Sequence, residues 1–168
     1  MSSQNAGSLE LLRRELPGLE EAVPLAPFSA YGVGGPAKLL FRATTTNEFV
    51  HAVKAARRLN VPVTVLGKGT NVLIDDAGLS GVTIVVRTSS WTLDDGLLHA
   101  EAGVELPTLV AELARRGLGG LEFAGNIPGS VGGAVVGNAG AYGRAVSDVL
   151  VSVHFLDGVT EHIKPPVE

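Results

Sequence analysis

Two glycine-rich segments carry the residues whose types and spacing are best suited to chemistry. The first is "LGKGTNVL", residues 66–73. A short run rich in β-branched residues delivers Gly67, Lys68, Gly69, Thr70 and Asn71 into a tight turn, with Val72 and Leu73 following. Glycine admits positive φ and has no Cβ, so successive amide N–H groups can converge on an anion. Thr70 and Asn71 add side-chain donors. The segment therefore reads either as a phosphate cradle or, more plainly, as a hairpin or crossover turn. It is not the Gly-x-x-x-x-Gly-Lys-Ser/Thr loop, and no Gly-x-Gly-x-x-Gly opens a helix here.

The second segment, "GNIPGSVGGAVVGNAGAYG", covers residues 125–143 and contains no charged side chain. Pro128 stiffens its entry, and Gly129, Gly132 and Gly133 are spaced so that backbone can approach a flat or phosphorylated ligand. Ser130 and Asn138 offer hydrogen bonds without charge. Val131, Ala134, Val135 and Val136 suit the wall of a mostly apolar cofactor site with a few polar contacts. The plainer reading is a buried turn between closely packed backbones. Two such segments, separated by a whole subdomain, favour a large extended ligand lying between subdomains. A dinucleotide meets that demand, with a pyrophosphate for the amides and a broad ring system for the apolar wall. The dinucleotide fingerprint of the Rossmann fold is lacking, which points to a flavin held by another fold.

The elements that must position these segments follow from periodicity and punctuation. Residues 8–16 suggest a short helix capped by Ser8 and stopped by Pro17–Gly18. Pro24, Pro27 and the glycines at 32, 34 and 35 predict irregular chain before a strand over 37–43. Apolar residues at 49, 50, 53 and 56 predict a helix with Thr46 or Asn47 as its N-cap. Strands are expected over 63–66 and 81–88. Beyond them come a strand over 97–104, a helix over about 106–116 with Gly117 at its C-cap, and a strand over 149–157. Residues 160–164 can complete a hairpin across Gly158. The pattern is α+β. The expected organisation is an N-terminal helical extension (1–23), a first subdomain (24–88) and a second (89–168).

Bulk properties restrict the function classes. The chain has 168 residues, 45 % hydrophobic and 18 % charged, with a formal net charge of −4. Such a chain can bury a core, and its acidic balance argues against nucleic acid as partner. Lys54, Arg57 and Arg58 sit at a predicted helix end, where cations suit the dipole. The chain has no cysteine, which removes disulfides, thiolate metal sites and cysteine nucleophiles. His51, His99, His154 and His162 show no metal-ligand spacing. The N-terminus lacks a signal-peptide profile and no long apolar run is present, so the expected location is cytoplasmic, without membrane insertion. Oligomeric state is not legible.

Three stretches, "AYGVGGPAKLL" (30–40), "VLGKGTNVLIDDAGLSGVTI" (65–84) and "GLEFAGNIPGSVGGAVVGNAGAYGRAVSDVLVSVHFLD" (120–157), resemble the UDP-N-acetylenolpyruvoylglucosamine reductase (UDP-N-acetylmuramate dehydrogenase) family. The resemblance runs unbroken over about residues 24–164. It implies a two-subdomain FAD-binding fold of the vanillyl-alcohol-oxidase (p-cresol methylhydroxylase) type. It further implies that FAD passes a hydride from NADPH to the enolpyruvyl ether of a UDP-sugar, forming UDP-N-acetylmuramate for peptidoglycan. By position, Gly67 to Leu73 and Ile127, Pro128, Gly129, Ser130, Gly132, Gly133 and Ala134 become flavin contacts. Asn138, Gly140 and Tyr142 fall near the cofactor or the substrate edge, and Tyr142 is equally readable as a half-buried aromatic beneath the loop. The family's catalytic arginine, serine and glutamate lie beyond the last residue of this chain and match nothing within it. Arg144, Ser147 and Asp148 read as capping or surface residues. The expectation is therefore an FAD-binding portion that is inactive alone.

The alternative is a non-catalytic flavin- or nucleotide-binding module of the same descent. An oxidase with covalently tethered flavin is disfavoured, because no histidine lies within 66–73 or 125–143 and there is no cysteine.

Overall fold

The computed structural model of the chain describes residues 3–165. Two units emerge, Met1–Arg87 and Thr88–Glu168.

The first unit is built on a four-stranded sheet of order β1-β2-β4-β3. Strand β1 (Glu20–Pro24) pairs antiparallel with β2 (Pro36–Ala43), whereas β4 (Leu79–Val86) runs parallel to both β2 and β3 (Val63–Leu66). Parallel neighbours need a long crossover. From β2 to β3, which flank β4, the chain passes through helix α2 (Thr46–Arg58), which turns Ala52, Val53, Ala55 and Ala56 inward. Between β3 and β4 the crossover is residues 67–78, an irregular loop that begins with the first glycine segment. Leu39, Leu40, Val82, Ile84 and Val85 are fully buried at the centre of the sheet. Leu25, Ala37, Leu40, Leu66, Ile74 and Val85 form one core cluster, so the glycine turn is anchored by buried residues on both sides, Leu66 before it and Ile74 after it.

Two expectations are corrected here and one element is added. The first helix, α1, spans Ser3–Glu15, so Ser8 is interior to it rather than its cap; Leu9 and Leu12 on its inner face and Leu16 just beyond it are buried. The N-cap of α2 is Thr45, whose hydroxyl accepts from the Glu48 amide at 3.1 Å, while the Glu48 carboxylate reaches back to the Thr45 amide. That reciprocal pair outcompetes Thr46 and Asn47 because it satisfies two orphan donors at once. Residues 20–24, for which no element was predicted, form a strand, since β2 offers them a free antiparallel edge; Pro24 sits at the strand's end, where a missing donor costs little.

The second unit contains hairpin β5 (Trp91–Asp94) and β6 (Leu97–Ala100), then helix α3 (Leu106–Arg115). Leu106, Leu109, Val110 and Leu113 follow helical spacing and are buried. A short helix α4 (Val131–Val136) lies inside the second glycine segment. After it come a two-residue-per-strand hairpin, β7 (Gly140–Ala141) and β8 (Arg144–Ala145), and a longer one, β9 (Val153–Asp157) with β10 (Thr160–Lys164). The strand expected over 97–104 is shorter because the chain turns at Gly103, where any Cβ would lie 2.3 Å from the Thr88 carbonyl oxygen. The strand expected from 149 starts at Val153, since residues 146–148 form a single tight turn capped by Asp148. A core of Leu106, Val110, Phe123, Ala124, Ala134 and Val146 ties α3 to the glycine segment.

Candidate functional site

The first glycine turn leaves the end of β3 and is shaped by residues 28–31. Gly69 has φ +67°, and a Cβ built on it would fall 1.8 Å from the Phe28 carbonyl oxygen. No other residue fits, so this glycine serves the protein's own backbone. The Ala30 amide donates to the Gly69 carbonyl at 2.9 Å, and the Ser29 hydroxyl bridges the Val72 carbonyl (3.4 Å) and the Tyr31 amide (3.2 Å). Carbonyls of the turn are thus spent inward. Among the described residues the amides of Gly69, Asn71 and Leu73 donate to no backbone carbonyl. Leu73 is 79 % exposed and Tyr31 62 %. Free amides beside exposed apolar side chains are a donor set suited to a phosphate linked to a less polar group.

The second segment combines close packing with open backbone. Its entry is stitched to the start of α3: the Leu106 amide donates to Gly129 at 3.0 Å, and the Val131 amide to Val104 at 2.9 Å. Ser130 is buried and caps α4, its hydroxyl accepting from the Gly133 amide at 3.3 Å. Gly132 donates to the Ala102 carbonyl at 2.8 Å, and a Cβ on it would meet the Ala102 Cβ at 2.7 Å. Its bareness is therefore demanded by Ala102. Gly133 differs, since it is exposed and its nearest neighbour would be the Ser130 hydroxyl at 3.4 Å. One turn on, Gly137 is exposed too, and Val136 is 91 % exposed. These three residues give α4 an outer face of bare backbone and one apolar side chain.

Asn138 adopts φ +41°, and its side-chain oxygen accepts from the Ser147 amide at 3.0 Å, an intramolecular role. Gly140 starts the small hairpin, where a Cβ would collide with the Arg144 carbonyl oxygen at 2.6 Å. The hairpin's turn is Tyr142 (φ +55°) and Gly143 (φ +77°), a pair of left-handed residues that matches the right-handed strand twist. Tyr142 is 82 % exposed. It is not a half-buried aromatic beneath the loop. Ile127 and Ala134 pack into the local core, so they support the segment from behind. Arg144 lies over the Phe123 ring at 5.3 Å, and Asp148 accepts from the Ala145 amide at 2.8 Å; both have structural partners.

Residues missed in the sequence are Phe28 and Ser29, which mould the first turn, and Ala102, which moulds the second. No local pattern marks them, because each acts through its backbone position in a distant loop. Among the described residues no group of histidines and carboxylates could hold a metal, and no helix is long and apolar enough to cross a membrane.

Comparison with known proteins defines the class. The FAD binding domain family matches residues 37–164. UDP-N-acetylenolpyruvoylglucosamine reductase of Gloeobacter violaceus is 46 % identical over 140 residues, 82 % of this chain and 47 % of the relative. The crystal structure of UDP-N-acetylenolpyruvylglucosamine reductase from Thermus caldophilus superposes with a TM-score of 0.67 at 34 % identity, over 88 % of this chain and 51 % of that one. A solvent-stable cholesterol oxidase shares the fold alone, with a TM-score of 0.61 at 15 % identity over 77 % of this chain and 29 % of its own. The fold is the α+β FAD-binding type of vanillyl-alcohol oxidase and p-cresol methylhydroxylase. The chain belongs to the FAD binding domain family, and the curated relatives it resembles are named UDP-N-acetylenolpyruvoylglucosamine reductases. It spans about half the length of the curated relatives it matches.

Proposed function

We propose that this chain holds FAD as the flavin-binding portion of an NADPH-dependent, cytoplasmic reductase of peptidoglycan synthesis, acting on a UDP-N-acetylglucosamine enolpyruvyl ether. The observation that carries the reading is the pair of glycine segments within the family match at 37–164, which carry bare backbone beside a few small polar and apolar side chains. The residues fit the cofactor. The turn 67–73 supplies amides and the Thr70 and Asn71 side chains for the pyrophosphate. Gly133, Val136 and Gly137 supply a surface flat and apolar enough for a ring system, with Tyr142 exposed nearby in sequence.

When bound, FAD supplies two-electron transfer between NADPH and the substrate alkene. The chain's own contribution is to bind and orient. Phe28 and Ser29 pack against the first turn, where the Gly69 and Val72 carbonyls accept from the Ala30 amide and the Ser29 hydroxyl while the Gly69, Asn71 and Leu73 amides donate to no backbone carbonyl. Ser130 and Ala102 hold α4 so that Gly133 and Val136 face outward. Hydride delivery to an enolpyruvyl group also needs a cation for the developing enolate and a positioned proton donor. Arg144 and Asp148, the charged residues beside the second segment, are engaged with the Phe123 ring and the Ala145 amide, and this chain takes the cofactor-holding share of the reaction.

The test is an absorbance spectrum of the purified chain after FAD is added and the excess removed. Visible flavin bands that travel with the protein support the reading. FAD that elutes wholly free, across the range of protein concentrations where the chain is folded by circular dichroism, refutes FAD holding by this chain.

A further inference from the structure

Arg87 ends the first unit immediately after β4 and belongs to none of the residue sets assigned so far. Its Nη1 donates to the Gly67 carbonyl at 3.2 Å, which sets the guanidinium at the entrance of the 67–73 turn. The same guanidinium lies 6.0 Å from the centre of the Phe28 ring. Phe28 is the residue whose carbonyl moulds Gly69, so Arg87 touches the turn at its first glycine and at its moulding residue. Arg42 approaches the same ring at 5.5 Å, but its charge is matched by an ion pair with Glu20. Arg87 is different: among the described residues its partners are the Gly67 and Val86 carbonyls and the Phe28 ring, with no carboxylate.

We propose that Arg87 is an anion-binding residue of the first glycine turn, presenting its charge to the diphosphate of the ligand held there. The inference rests on the FAD reading above. Guanidinium carries five N–H donors in a planar fork, and the carbonyl contacts leave several of them for phosphate oxygens. Stacking on Phe28 and bonding to Gly67 restrict the side chain beforehand, so little rotamer freedom is lost on binding. A doubly charged diphosphate gains more from a full positive charge than from amide dipoles alone. The side chain is exposed, so the attraction is open to screening by salt.

The experiment is calorimetric titration of the full 168-residue chain and its Arg87→Met and Arg87→Lys variants with three probes: FAD, ADP and riboflavin, at several salt concentrations. Arg87→Met is expected to weaken FAD and ADP by about tenfold, in the range of a lost charge-assisted hydrogen bond. Riboflavin, which has no phosphate, is expected to be unaffected. The salt dependence of FAD binding becomes shallower in Arg87→Met and stays near wild type in Arg87→Lys. Equal weakening of FAD and riboflavin, or an unchanged salt dependence, would show Arg87 to be a strut for Gly67 only and overturn the inference. Unchanged FAD affinity in Arg87→Met overturns it as well, with the FAD reading intact. A wild-type chain that binds neither FAD nor ADP overturns both.

Discussion

The adjacent glycines 132 and 133 should respond to alanine in opposite directions. Neither has positive φ, so backbone strain plays no part. Alanine within a helix is favoured over glycine by roughly 0.5–1 kcal/mol through unfolded-state entropy. At Gly133 nothing opposes that gain, since the nearest atom to the new methyl is the Ser130 hydroxyl at 3.4 Å. At Gly132 the methyl would meet the Ala102 Cβ at 2.7 Å and the Ala102 carbonyl oxygen at 3.0 Å. Both belong to a turn already bonded to Gly132, so relief requires the backbone to move, at a cost of about 1–3 kcal/mol for overpacking. The net expectation is a loss of about 1–2 kcal/mol for Gly132→Ala and a gain of about 0.5 kcal/mol for Gly133→Ala. Urea unfolding without ligand measures both. FAD titration then separates packing from binding: Gly133→Ala should weaken FAD despite its added stability, because its methyl enters the open face. A Gly132→Ala variant as stable as wild type would refute the claim that Ala102 dictates that glycine. A stabilised Gly133→Ala variant with unchanged FAD affinity would remove α4 from the flavin contacts.

Tyr142 sits in the left-handed region, which costs a non-glycine residue roughly 1 kcal/mol. Tyr142→Asn should raise the unfolding midpoint, because asparagine tolerates that conformation; an unfolding midpoint at or below wild type contradicts the strain argument. The Glu48 carboxyl is held below its ordinary value, chiefly by the Thr44 hydroxyl and then by the Thr44 amide. Its contribution to stability is therefore complete above the ordinary carboxylate range and is lost as pH falls through the depressed value. Thermal melts across the acid range should show a flatter pH dependence for Glu48→Gln than for wild type, and parallel curves would count against this capping box.

Much of the local structure was legible because it is written in local chemistry. The spacing of Leu106, Leu109, Val110 and Leu113 describes α3, and the run Val63–Leu66 ending in glycine describes β3 and its turn. The hairpin across Gly158 followed from its turn residue and flanking pattern. Strand β1 was hidden, because residues 20–24 have little strand character of their own and form one only where β2 leaves an edge unpaired. Helix α4 was hidden for a related reason. "VGGAVV" is a poor helix sequence, and it is held helical by the Ser130 cap and by bonds from Val131 and Gly132 to residues 104 and 102.

The glycines themselves divide along the same line. Sequence alone determined that two charge-free or glycine-rich stretches present backbone where other proteins present side chains, and the motifs around them carry the family resemblance. Only the tertiary structure decided what each glycine is for. Gly69 yields to the Phe28 carbonyl, Gly132 to Ala102 and Gly140 to Arg144, while Gly133 and Gly137 yield to nothing in the chain. A missing Cβ looks identical in every sequence position; what would have occupied its space is set across a hairpin at Gly140 and by residues tens of positions away at Gly69 and Gly132, brought there by the sheet and the turns.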